Sequence, residues 1–135
     1  MPQPKPSFTV EPIGYVENTC NDLLEPRLIR RLESRIVLNP EWVEGLRGLE
    51  EHAQILVLFY FHRLAGEAVD LVQHKRGRAD EPKKGVFALH SPRRPNAIGA
   101  TEVELLKIEG NVLTVTGLDA VNGTPVLDIK PVRRK

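Results

Sequence analysis

The sequence predicts a mainly β, single-domain chain, an antiparallel barrel or sandwich with one short helix near residues 40–50. Three observations carry that expectation. Short runs rich in β-branched and apolar residues recur from Arg31 to Pro131, many alternating with polar residues and separated by turn-forming ones. Only one stretch, 39–53, opens like a helix, so strands do not alternate with helices as βαβ units require. The 135 residues suffice for one core without disulfide staples.

In chain order, residues 1–7 are proline-broken and read as a disordered arm, leaving 8–135 as the folded domain. "FTVEPIGYVEN" is expected to form a strand pair interrupted at Pro12, with Gly14 allowing a bulge or kink. "RLESRIVL" (31–38) alternates as a half-buried strand does. Next comes a helix start: Asn39 as N-cap, Pro40 in the first helical position, Glu41 in the first turn. Gly45 and Gly48 weaken it, so it should run two or three turns. "QILVLFYFH" (54–62) is apolar on both faces and predicts a central strand, with "AVDLVQHKR" (68–76) beside it. "GRADEPKK" is loop. "GVFALH", "ATEVELLKIEG", "NVLTVTGLD" and "TPVLDIKP" predict four more strands, with "EGN" (109–111) and Asn122-Gly123 as hairpin turns.

Composition narrows the function classes. The formal charge is only +1, but its distribution is uneven. Between His74 and Arg94 seven Lys or Arg stand against Asp80 and Glu81, a local +5, which fits a polyanionic partner. One cysteine, Cys20, excludes an internal disulfide framework and a cysteine-rich metal site. The histidines 52, 62, 74 and 90 lack HExxH spacing, so no metal is expected. The N-terminus has no apolar h-region and "ILVLFYF" (55–61) is too short to span a bilayer, so no membrane segment and a cytoplasmic location are expected. No GxGxxG follows a strand and no GxxxxGK[ST] occurs, which argues against doubly wound dinucleotide and P-loop folds.

Three stretches carry chemistry. The central strand ends abruptly in His62 and Arg63, and a barrel mouth is where ligand groups belong. The loop "HSPRRPNAIG" (90–99) holds Arg93, Arg94 and Asn96 between Pro92 and Pro95, which lowers the entropy these side chains lose on binding. Guanidinium groups clamp carboxylate or phosphate, and Asn96 can read an amide or a base edge. The third stretch, 117–131, sets Asp119, Asn122, Thr124, Asp128 and Lys130 around one turn and the strand after it. By the period of two, Asp128 and Lys130 share a face.

With these residues in view, "GVFALHSPRRPNAIG" (85–99) and "GLDAVNGTPVLDIKP" (117–131) resemble the motifs of the TsaA-like, or TrmO, family. The resemblance extends to "GLRGLE" and "FHR" (45–63) and to "IGYVEN" (13–18), and covers most of the chain. It implies a small β-barrel that uses S-adenosylmethionine to methylate N6 of threonylcarbamoyl-adenosine beside the anticodon of tRNA, acting as a homodimer. By matching motif positions, the cofactor would meet His62, Arg63, His90, Asn96, Asp119, Asn122, Gly123, Thr124 and Pro125. Arg93, Arg94 and Lys130 would meet the substrate's carboxylate and phosphates, and Asp119 and Asp128 are the candidates for general base. Leu89-His90 replaces the family's usual Thr-Arg, Ala97 its usual proline, and Asn122 its usual Asp. These departures keep two alternatives open: a small-molecule methyl acceptor, or a non-catalytic module binding S-adenosylmethionine or RNA.

Overall fold

The computed structural model describes residues 5–22, 26–75 and 78–132. Six strands close into an antiparallel barrel in the order β1 (Gly14–Glu17), β2 (Glu33–Leu38), β7 (Val112–Thr116), β6 (Ile98–Glu109), β3 (Gln54–Tyr60) and β8 (Pro125–Pro131). A separate two-stranded ribbon pairs β4 (Val72–Gln73) with β5 (Lys84–Gly85), and one α-helical turn, α1, covers Pro26–Ile29.

The period of two sets which side chains face inward. Ile55, Val57 and Phe59 of β3 are buried, while Leu56 and Leu58 between them are only half-buried. Val16, Ile36, Leu113, Val115 and Val126 complete the filling from the other strands, each worth roughly 1.5–3 kcal/mol on burial. Side chains therefore pack the interior, as in other small barrels, and the chemistry must lie at an end. Two close approaches need glycine. A Cβ on Gly14 would stand 2.4 Å from the Val37 carbonyl oxygen, and one on Gly99 would stand 2.6 Å from the Phe59 ring.

Several expected elements differ. Residues 5–13 form no strand, and residues 1–4 of the expected disordered arm lie outside the described residues. The helix expected near 40–50 is a pair of 3₁₀ turns, Pro40–Leu46 and Leu49–Glu51. Gly48, at φ 89°, breaks the run between them, and the bonds there skip three residues, as from Trp42 N–H to the Asn39 carbonyl. Residues 68–75 do not flank β3, whose neighbours are β6 and β8, and Arg76 lies outside the described residues. "GVFALH" contributes only Gly85 to a strand, because Val86–Ala88 turn as 3₁₀. Asn122-Gly123 does turn, with Gly123 at φ 86°, but it makes no hairpin, since β7 and β8 are not neighbours.

Antiparallel pairing puts the three long connections together. The register pairs Glu17↔Arg35, Glu33↔Thr116, Tyr60↔Ile98 and Phe59↔Val126 bring one end of all six strands to the same rim. Connections 18–32, 61–97 and 117–124 all leave and return there. The last must cross the mouth from β7 to β8, and in crossing it buries Leu118 and Ala120 as a lid on the core and packs Val121 against Cys20 and Ile29.

Candidate functional site at the barrel rim

The three rim connections are tied by side chains. Asn122 accepts from the Asn18 backbone N–H (3.1 Å) and donates from Nδ2 to Asn21 Oδ1 (3.0 Å). Its own N–H donates to the Cys20 carbonyl (2.7 Å). Asn18 mirrors this. Its Nδ2 donates to Ser34 Oγ (3.0 Å) and the Ala120 carbonyl (2.9 Å), and its Oδ1 accepts from the Cys20 N–H. Two asparagines thus lock connection 18–32 to connection 117–124. Arg63, at the end of β3, reaches the same loop through Asp22 at 3.9 Å.

Asp119 sits one step along. Its Oδ1 accepts from Thr101 Oγ1 at 2.6 Å and its Oδ2 from Arg30 Nη2 at 3.2 Å. The Asp119 side chain keeps 20% of its surface open, so it can still meet a ligand group while its orientation is fixed from two sides.

The proline loop joins the rim through backbone. Phe61 N–H donates to the Ala97 carbonyl at 2.8 Å, and Arg94 Nη1 donates to the carbonyls of Leu89 (2.7 Å) and Ser91 (3.3 Å). Arg94 therefore holds the loop's own shape. Arg93 stands beside Glu67 at 3.5 Å. Ala97 has φ 49°, a conformation proline cannot take, so the alanine there permits this turn. The side chains of His62, His90 and Asn96 have no hydrogen-bond partner among the described residues, and His90 and Asn96 are exposed.

The structure does not bring every sequence candidate to this rim. Asp128 and Lys130 pair with each other at 3.0 Å on the outer wall of β8, opposite Leu58 and Leu56. A register shift between Leu58 and Phe59 puts Val126 and Ile129 inward and turns these two out. Thr124 is 3% exposed, and its hydroxyl donates to the Val121 carbonyl at 2.7 Å, so it shapes the turn. Gly123 N–H donates to the Val16 carbonyl, and Pro125 begins β8 opposite Tyr15. Sequence reasoning missed Asn18, Asp22, Arg30 and Thr101. An Asn directly after a strand was the only signal available for that set.

The S-adenosylmethionine that the sequence resemblance implies could be held here by chemistry of these kinds: Asp22 and Asp119 for its amine and sulfonium charges, and Arg63 for its carboxylate. Asn96 and backbone groups of the turns offer partners for a purine edge. Among the described residues no group of three or more His, Cys, Asp or Glu converges as a metal site.

Fold and rim together define a small closed barrel with a polar loop-built mouth and no glycine turn of the dinucleotide type. The model of a family described as the tRNA-methyltransferase O N-terminal domain matches residues 23–135, and the chain belongs to that family. The human tRNA (adenine(37)-N6)-methyltransferase is 39% identical over 135 residues, covering 93% of this chain and 30% of its own length. An S-adenosyl-L-methionine-binding protein of Archaeoglobus fulgidus is 36% identical over 124 residues, covering 90% of this chain and 86% of its own. The crystal structure of TrmO from Pseudomonas aeruginosa superposes with TM-score 0.73 at 33% identity, over 94% of this chain and 56% of that one. The chain thus spans less than a third of the human relative and little more than half of the solved TrmO chain.

Proposed function

We propose that this chain is an S-adenosylmethionine-dependent methyltransferase acting on N6 of threonylcarbamoyl-adenosine beside the anticodon of tRNA, as a cytoplasmic homodimer. One observation carries the proposal: three polar connections from distant parts of the chain converge on one rim above a sealed core. Family membership and the names of the human and archaeal relatives support it.

Bound at the rim, S-adenosylmethionine supplies an electrophilic methyl group on a positively charged sulfur. The protein's part is alignment and proton handling. Fixing nitrogen, carbon and sulfur in line supplies much of the acceleration of such a displacement. The asparagine lock and the Arg94-braced loop hold the two sides of the rim at a set spacing. Asp119, aimed by Thr101 and Arg30, accepts the proton that the exocyclic nitrogen gives up as its bond to carbon forms. Arg63 and Arg93 would meet anionic groups of cofactor and substrate by exchanging their present partners, Asp22 and Glu67.

Titration calorimetry of the purified chain with S-adenosylmethionine is expected to show saturable binding; no heat and no competition would overturn the proposal. Mass spectrometry of tRNA from a deletion strain then assigns the acceptor. Loss of methylation at threonylcarbamoyl-adenosine alone supports the proposal, and an unchanged tRNA profile overturns it. Cofactor binding with unchanged tRNA points to a binding module, a reading favoured by the archaeal relative that is named for binding alone.

A further inference from the structure

Most cations of the barrel are neutralised in place. On the wall Arg35 meets Glu17, and Lys107 meets Glu109. At the rim Arg30, Arg63 and Arg93 each face a carboxylate of their own chain. In the connection between β4 and β5 Arg78 is likewise paired, with Asp80 and Glu81, but the lysines of that ribbon are not. The exposed ammonium groups of Lys75, Lys83 and Lys84 have no partner among the described residues. The same ribbon exposes apolar side chains: Leu71 by 62%, Val72 by 55% and Phe87 by 80%.

Both features follow from how the ribbon is built. Buried Val86, whose N–H donates to the Leu71 carbonyl, anchors the 3₁₀ turn and leaves Phe87 outside. Gly85 lies opposite Val72, so no side chain covers that position from the facing strand. Gln73 Nε2 donates to the Arg93 carbonyl at 3.0 Å, which fastens the ribbon to the proline loop of the rim. An exposed ring a few positions along the chain from unpaired Lys83 and Lys84, on a ribbon fastened to the candidate site, offers what single-stranded nucleic acid uses: bases stack on a ring and phosphates meet cations.

We propose that this ribbon is the docking surface for an unpaired RNA loop, with Phe87 stacking a base next to the methylated nucleoside and Lys83 and Lys84 holding phosphates. The proposal rests on the methyltransferase reading and adds where the RNA lies. The test uses the full chain and a synthetic RNA hairpin with a seven-nucleotide loop. Binding is followed by fluorescence anisotropy across a salt series, with S-adenosylmethionine affinity measured on each variant. The double variant K83A/K84A is expected to lower the slope of log affinity against log salt by about 1.4, at about 0.7 per phosphate contact on a single strand. Phe87→Ala is expected to weaken RNA binding about tenfold, with Phe87→Tyr restoring it. Cofactor affinity stays at the wild-type value in all three.

Unchanged RNA affinity and salt slope in K83A/K84A, with cofactor binding intact, would overturn the docking surface and leave the methyltransferase reading standing. Wild-type protein that binds no cofactor would overturn that reading instead. If Phe87→Ala dissociates a dimer in sedimentation without changing RNA affinity per chain, the ribbon is a self-association face and the RNA proposal falls.

Discussion

The two ends of the barrel solve the same problem differently. At the end away from the rim, β6 turns into β7 through Gly110 and Asn111, with Gly110 at φ 61°, and residues 39–53 cross by 3₁₀ turns held largely by backbone bonds. Even the side chain of Asn111 serves closure, donating to the Leu38 carbonyl at 2.8 Å. At the rim the connections are long, and side chains from residues about a hundred positions apart do the tying. Polar side chains are costly to order, so a rim built from them marks a surface kept for more than closure.

If the plain end is pure scaffold, disturbing it should cost stability and spare ligand binding. Gly14→Ala forces a methyl against the Val37 carbonyl, where backbone cannot yield, and should lose about 3 kcal/mol in urea denaturation. The fraction that remains folded should bind S-adenosylmethionine as wild type does. The rim should behave in reverse. Asp119→Asn keeps an acceptor for Thr101 and gives up the Arg30 ion pair, so stability should fall by under about 1 kcal/mol. Turnover on tRNA should drop by about a hundredfold.

Asn122→Ala unties the two connections and should do some of both. It leaves the Asn18 N–H and Asn21 Oδ1 without their partner, worth about 1–2 kcal/mol, and should weaken cofactor binding measurably by calorimetry. Asn122→Asp, which keeps the acceptor for Asn18, should recover part of both losses. The smallest effect is expected at Ala97. Ala97→Gly relieves a left-handed conformation and should raise stability by about 0.5 kcal/mol, read as a higher Tm.

The barrel wall was the legible part of the sequence. β2 announced itself because a strand facing a packed interior alternates, as Ser34, Ile36 and Leu38 do, and β3 because its run is apolar on both faces. The 3₁₀ turns read as a helix because Asn39, Pro40 and Glu41 start either structure equally well, and Gly48's left-handed backbone then divides the run in two. Two-residue β4 and β5 are too short for any period to show. At the rim, His62, Arg63, Asn96, Asp119 and Asn122 were visible as polar groups in connections that follow apolar strands. Their partners were not. Thr101 looks like any outward position of β6 until closure brings Asp119 over it, and Asn18 gains its role only once residue 122 lies beside it. Asp128 misled because the register shift beside Leu58, which carries no sequence mark, turns it to the outer wall.

The cylinder is not equally fastened all the way round. β3 is stitched to β6 along its whole length, whereas β1 meets β8 only at Gly14↔Val126 and Tyr15↔Pro125, helped by bonds of Ile13, Val16 and Gly123 at either end. That seam ends directly under the crossing loop, so its breathing and the shape of the mouth are one motion. Deuterium uptake at the amides of Val16 and Gly123 should outpace that of β3, and slow once a ligand settles on the mouth.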